Sequence, residues 1–438
     1  MTSLTSENSN YYLVKYETIK YPGLPSSYGD YSNNIFYHDE KYYVLFYSFD
    51  GFYTYGWGTG IFNIEIWESD LKTEDSTFSL NMQYEFELSD SQTGPNYYGE
   101  YNFSNDIYLN LSLDKDGILH LILNDMDYGK WVRYIQLEKN EDGIYEFSGG
   151  CDITSYMTDA GTVSKPVVLT DENIKYLAFV YEDFSGDTFF YVFEINGTNL
   201  VQIQSSILET LEDLESNTWA VSLDYDHNGD GITLNSTDIY LTWCIYNRDS
   251  DTSFIHYTKA TKNGNTWSIG EIIEINPGDR IDFYNWGLTD FFSFWTGSNF
   301  IITAMMQDYL TDYVYGFIFK INNELQYTSY TVPYTPADYN AGEPFTFRLL
   351  PSHKKATIYP VLEIGHYGEE DYYVNQYVPE AKLDTEEITW SDIDLNNPLT
   401  GSFYGDLDFL PIEITTVIRH IGSKFCAAGV EYIWYAGY

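Results

Sequence analysis

Positive charge is scarce in this chain. Its 438 residues carry 21 Lys and Arg against 66 Asp and Glu, a formal net charge of -45. Such a surface repels phosphate backbones, which argues against nucleic acid as a partner, and it attracts cations and basic partners. No run of about 18 apolar residues occurs, so no membrane-spanning helix is expected. Long Ala/Leu/Glu/Lys periods are missing too, which leaves an all-β composition. The one stretch with helical character is SSILETLEDLES at 205–216, read as a short helix. Cysteine is limited to Cys151, Cys244 and Cys426, without a CxxC pair, and three cannot all pair within one chain. Cys244 and Cys426 lie in apolar, strand-like runs and are expected to be buried thiols. The opening residues MTSLTSENSN lack the basic region and apolar core of a signal peptide; residues 1–10 read as a disordered leader. No GxSxG, P-loop, dinucleotide fingerprint, HxH or HExxH spacing appears.

Aromatic residues fill the space: 45 Tyr, 27 Phe and 10 Trp. They gather in paired runs around turn-forming tips, the pattern of β-hairpins. Seven long hairpins stand out, at 34–48, 108–123, 166–181, 217–246, 291–306, 347–363 and 414–433. Each of the first six is followed by a second, less apolar pair of strands joined through turns such as EKNEDG, INGTN and KNGNT. Six units thus carry four strands. The seventh has only its long hairpin, and the strand at 11–21 (YYLVKYETIKY) is a spare piece. The expected fold is all-β: a seven-bladed β-propeller of four-stranded antiparallel blades, one domain over 11–438, its ring closed by the N-terminal strand. Such closure leaves few exposed edges.

Two features carry candidate chemistry. The hairpin at 217–246 has the tip DYDHNGDG, in which Asp224, Asp226, Asn228 and Asp230 alternate on a Gly-bent loop, the oxygen array that Ca2+ requires. The second is a recurring aromatic turn ahead of the long hairpins: Tyr28-Gly-Asp30, Tyr98-Gly-Glu100, Tyr284-Asn-Trp286, Tyr339-Asn-Ala and Tyr404-Gly-Asp406. In a propeller these turns converge at the mouth of the central channel. Rings for the pyranose face and carboxylates for the hydroxyls suit sugar recognition. Tyrosines wedged between repeats as packing would recur in the same way. Acidic pairs near the channel, drawn from Asp30, Glu100, Asp290, Glu343 and Asp406, have the residue type for glycoside hydrolysis. Four histidines, His38, His227, His353 and His420, sit at hairpin tips, where exposure is the default. Sequons at Asn102, Asn110, Asn196 and Asn235 are what chance supplies in a chain rich in Asn, Ser and Thr.

The stretch SLDKDGILHLIL (112–123) resembles the inner hairpin of sialidase-like and BNR-repeat propellers. The repeated Asp-box of sialidases is not reproduced, and WD40 signatures are absent. Sialidase chemistry needs several arginines to clamp a carboxylate. Only Arg133, Arg248, Arg280, Arg348 and Arg419 are present, without that spacing, so it is set aside. DYDHNGDG is similar to the DxDxDG calcium loops of several propeller families, including the integrin α-subunit head. That resemblance implies Asp226, Asn228 and Asp230 as side-chain ligands and Ile232 as a carbonyl ligand. The ninth position, acidic in that pattern, is Leu234 here, so Asp238 or Asp224 would supply the missing carboxylate. Without a catalytic motif, the chain reads as a non-catalytic structural or binding module on a cell surface or virus particle. Its partners would be proteins or glycans, and a homo-oligomer or larger assembly is compatible. The alternative is a carbohydrate-active enzyme or a lectin using carboxylates and tyrosines at the channel mouth.

Overall fold

The computed structural model describes the strands and many of the turns between them. Outside the description lie residues 1–11, 19–34, 55–56, 71–77, 90–106, 126–130, 159–160, 165, 172, 184–186, 211–217, 221–237, 248–251, 276–291, 296–298, 309–312, 323, 332–342, 352–356, 368–371, 378–380, 384–387, 391–402, 406–416, 422–423, 429–431 and 438.

The described strands form antiparallel sheets that follow one another along the chain. The first holds Ile35–His38, Lys41–Thr54, Trp57–Ser69 and Ser79–Ser89, side by side in that order. The second repeats the arrangement with Ile107–Leu113, Leu119–Asp125, Trp131–Lys139 and Tyr145–Asp152. In the third, Val167–Asp171, Ile174–Asp183, Thr188–Asn196 and Asn199–Glu209 are joined by a short fifth strand, Gly161–Val163. The fourth holds Thr218–Ala220, Asp238–Asn247, Thr252–Asn263, Thr266–Ile269 and the added Ile273–Ile275. Four strands make the fifth: Phe292–Trp295, Phe300–Asp308, Tyr313–Ile321 and Tyr327–Thr331. The sixth centres on Thr357–Tyr367 between Glu343–Pro351 and Tyr372–Tyr377, with three short strands added. In the last, Val417–Ile421, Lys424–Ala428 and Tyr432–Gly437 are completed by Tyr12–Thr18 from the other end of the chain. That pairing runs from Tyr12 opposite Gly437 to Thr18 opposite Tyr432. The nearly all-β, four-strand propeller pattern is therefore present, with extra short strands in the third, fourth and sixth sheets.

The elements form where turn chemistry and period-2 alternation agree. At the first tip, Asp39 and Glu40 take φ of 50° and 61°, the positive pair that a two-residue hairpin turn needs. Gly197 and Gly264 do the same service after Asn196 and Asn263. Gly117 at the second tip has φ 82°, and a Cβ there would lie 2.2 Å from His38 Nε2 of the first sheet. Only glycine lets the two tips approach so closely. His38 is accordingly half-buried rather than exposed.

Successive sheets pack face to face. Phe62, Ile64 and Ile66 meet Leu119, Leu121 and Leu123 in one core, while the next residues along the same strands point the other way. Ile122, Tyr134, Leu177, Phe179 and Phe193 form the core between the second and third sheets. Trp243 with Val180 and Val192, and Tyr257 with Phe300 and Phe319, fill the next two joints. Each Leu, Ile or Phe buried in this way contributes about 1.5–3 kcal/mol. A one-residue slip would exchange Leu121 for His120, so register is strongly set.

The short helix read at 205–216 is contradicted over its described part, and 211–216 lie outside the described residues. Residues 199–209 continue as a strand, with Ser205 opposite Tyr191 and Ile207 opposite Phe189. Backbone hydrogen bonds to the neighbouring strand outweigh the weak local helical preference. Among the described residues the only helical turn is Thr154–Tyr156.

Candidate functional site

Most of the sequence-derived site lies outside the described residues. That holds for Tyr28, Asp30, Tyr98, Glu100, Tyr284, Trp286, Tyr339 and Asp406, and for Asp224, Asp226, Asn228, Asp230 and Ile232. Three positions are placed, one of them Glu343, which opens the strand Glu343–Pro351 opposite Gly365 in the sixth sheet. Tyr404 lies in the strand Phe403–Gly405, which pairs with Tyr372–Tyr377 and sets Tyr404 opposite Tyr373 in the sixth sheet. Asp238 opens a strand of the fourth sheet, and its Oδ2 is 2.7 Å from Lys259 Nζ. Partial burial works against the Lys259 charge, but the Asp238 hydrogen bond outweighs it and raises the Lys259 pKa. Among the described residues no group of three or more His, Cys, Asp or Glu is arranged to hold a metal ion.

What the structure does bring together is a set of charged joints between sheets. At three consecutive joints a hairpin-tip aspartate of one sheet meets a lysine of the next. Lys139 bonds Asp39 at 3.2 Å and lies over the rings of Tyr43 and Tyr145. Lys175 lies 2.5 Å from Asp114 and 2.8 Å from Asp116. Lys262 bonds Asp171 and lies over Tyr176 and Trp267. The scarce lysines thus hold carboxylates at the tips, each cation further stabilised where it faces aromatic rings.

Asp114 is the most enclosed of these carboxylates. Its Oδ1 accepts the backbone N–H groups of Asp116 and Ile118, while Oδ2 faces Lys175 and His120. Burial alone would raise its pKa, but the His120 ring beside it and hydrogen bonds from Lys175 and Ile118 hold it well below the usual carboxylate range. The His120 ring, 1% exposed, continues through Tyr134 to Gln136 and Glu138. Burial pushes the Tyr134 phenol far up, so it stays protonated. A second histidine, His256, lies between carboxylates, with Glu209 Oε2 3.1 Å from Nδ1 and Glu274 Oε2 3.6 Å from Nε2. Glu209 also accepts the Trp243 indole N–H at 2.7 Å. Sequence reasoning assigned no role to either histidine. The one local signal was the alternation Tyr134-x-Gln136-x-Glu138, which puts three polar groups on one face of a strand.

No protein family model matches the chain, and comparison with curated protein sequences returns no match. Solved structures of similar fold include the polysaccharide lyase Uly1, at 10% identity over 95% of this chain and 91% of that one, TM-score 0.46. An α-L-arabinofuranosidase from Fusarium graminearum is 11% identical over 76% of this chain and 92% of that one, TM-score 0.39. A bat influenza N11 neuraminidase-like protein is 8% identical over 75% and 86%, TM-score 0.34. They share the propeller type of fold. The expectation of a non-catalytic structural or binding module is corrected here. The similar solved structures include carbohydrate-active enzymes, among them a lyase, an arabinase, an arabinofuranosidase and a xylanase.

Proposed function

We propose that this chain is a carbohydrate-active enzyme that takes a neutral glycan where the aromatic turns enter the sheets. The observation that carries the reading is the common position of those turns. Tyr28-Gly-Asp30 precedes Ile35–His38, Tyr98-Gly-Glu100 precedes Ile107–Leu113, Tyr284-Asn-Trp286 precedes Phe292–Trp295, and Tyr339 precedes Glu343–Pro351. Each of these strands pairs with the next strand and is entered at the end away from the hairpin tip. Tyrosine rings would stack on sugar faces there, and Asp30 and Glu100 would bond hydroxyls or serve as acid and base. The net charge of -45 disfavours polyuronates, so hydrolysis of a neutral polysaccharide is the preferred chemistry over elimination from an acidic one.

In the same reading the successive sheets are seven blades of a closed ring, with Tyr12–Thr18 as the closing strand. Contacts of Ile35–His38 with the strands Val417–Ile421 and Lys424–Ala428 support closure. The tip residues Asp224, Asp226, Asn228 and Asp230, with the Ile232 carbonyl, would hold one structural Ca2+. Asp238 would join them only by leaving Lys259.

The test is a panel of neutral and uronic polysaccharides assayed for new reducing ends, for new carbon–carbon double bonds and for binding. Reducing ends without unsaturation, lost in Asp30→Asn with Glu100→Gln, support the proposal. Unsaturated products would make it a lyase, and binding without turnover a lectin. Folded protein that neither binds nor cleaves any glycan would end the carbohydrate reading.

A further inference from the structure

Five side chains form a row from the second hairpin tip along the face turned to the third sheet: Asp114, His120, Tyr134, Gln136 and Glu138. His120 Nε2 is 3.3 Å from Asp114 Oδ2, and Nδ1 is 2.7 Å from the Tyr134 hydroxyl. The Tyr134 hydroxyl is 3.0 Å from Gln136 Oε1, and Gln136 Nε2 is 2.6 Å from Glu138 Oε1. Both ends are carboxylates, which accept and do not donate when ionised. Each of the four contacts needs one proton. Gln136 supplies one from its nitrogen and none from its oxygen, Tyr134 supplies one, and a neutral imidazole supplies one. The row is one proton short.

We propose that this row is a one-proton switch built into the joint between the second and third sheets, and that the proton it takes up goes to His120. With a neutral ring the gap can fall at any of the four contacts, and two of these arrangements show the choice. Ordered from Glu138, Gln136 donates to Glu138, Tyr134 to Gln136 and Nδ1–H to Tyr134, leaving the Nε2 lone pair against Asp114. Ordered from Asp114, Nε2–H donates to Asp114 and Tyr134 to Nδ1, leaving two bare oxygens between Tyr134 and Gln136. The longest contact, Nε2 to Asp114, lies where the first arrangement puts its gap. An imidazolium completes all four contacts.

The groups facing the ring are Asp114 at the tip, Tyr134 and Glu138 on the neighbouring strand, and Lys175 from the third sheet, itself shared with Asp116. Burial pushes the His120 pKa down, and Lys175 adds to this while Asp114 opposes it; the direction is downward. Uptake therefore falls below the ordinary histidine value of about 6.5. Because the folded pKa is the lower one, this stability contribution is present above the unfolded value and is lost as the pH falls towards the folded one.

The experiment is NMR of histidine-selective 15N-labelled full-length protein, with the His120 resonances assigned by their absence in His120→Asn, or by elimination among the histidines should that variant not fold. The wild type should show one ring proton on Nδ1 at pH 8 and two after a titration below pH 6.5. Glu138→Gln puts an amide donor at the end of the row. The row then reverses, with Gln136 donating to Tyr134, Tyr134 to Nδ1 and Nε2–H to Asp114, complete on a neutral ring. In that variant the ring proton should move to Nε2 and the midpoint should drop by about one pH unit, a tenfold loss of proton affinity. Tyr134→Phe checks the same logic from the middle, since it leaves Asp114 as partner and should fix the proton on Nε2. A wild-type ring that stays singly protonated until acid unfolding overturns the proposal. So does a Glu138→Gln or Tyr134→Phe ring with the wild-type tautomer and midpoint.

Discussion

Lys262 of the fourth sheet reaches Asp171 at the hairpin tip of the third, and its ammonium lies 4.5 Å from the centre of the Tyr176 ring. The lysine side chain is only 7% exposed, so the cation is held between two sheets with little water to screen it. Burial alone would lower the Lys262 pKa, yet the hydrogen bond to Asp171 and the Tyr176 contact raise it. A chain with so much negative charge gains most from a cation placed where carboxylates crowd a joint.

Lys262→Met should therefore cost about 2 kcal/mol, within the range of a desolvated cation–π contact. Asp39→Asn should cost less than about 1 kcal/mol, because that carboxylate is 67% exposed and its pair with Lys139 is screened. Urea denaturation at low salt measures both. Equal losses would show that enclosure does not govern the strength of these joints.

Asp114 sets an acid limit on the fold. Its folded pKa lies below its unfolded one, so its stabilisation is complete above about pH 4 and is lost as the pH falls through the folded value. Asp114→Asn should cost roughly 3 kcal/mol at pH 7, where it strands buried partners, and should flatten the stability curve below pH 4. Melting curves from pH 7 to pH 2.5 on both proteins check the sign. A steeper acid slope in the variant would contradict the assignment.

Deleting residues 1–18 removes the partner of Tyr432–Gly437 and exposes a strand edge in the last sheet. The expected result is one lowered calorimetric transition for the whole chain. A transition equal to that of the full chain would mean that the N-terminal pairing adds nothing to global stability.

Calcium at the fourth tip should raise stability by RT ln(1 + [Ca]/Kd), roughly 2.7 kcal/mol at a hundredfold excess over Kd. The gain should vanish with EDTA, in Asp226→Ala with Asp230→Ala, and at low pH as the ligands protonate. Melting curves with elemental analysis decide it, and a chelation-insensitive, calcium-free protein leaves an ordinary Asn-Gly turn.

The hairpins were legible in the sequence because their causes are local. Asn196-Gly197 and Asn263-Gly264 bend the chain whatever surrounds them, and alternating apolar residues such as Phe62, Ile64 and Ile66 need only a buried face. Local preference failed at Ser205–Glu209, where a helical pattern became strand because Thr188–Asn196 offers a hydrogen-bonded edge. It was silent about polar partners. Asp114 and Lys175 are 61 residues apart, and Glu209 and His256 are 47 apart. Nothing in the pattern of either member names the other. The sequence by itself determined the strands, their turns and the acidity of the surface. The tertiary structure decided which of the few cations meets which carboxylate, because sheets stacked face to face bring residues of different repeats within hydrogen-bond reach, where burial makes each pairing count.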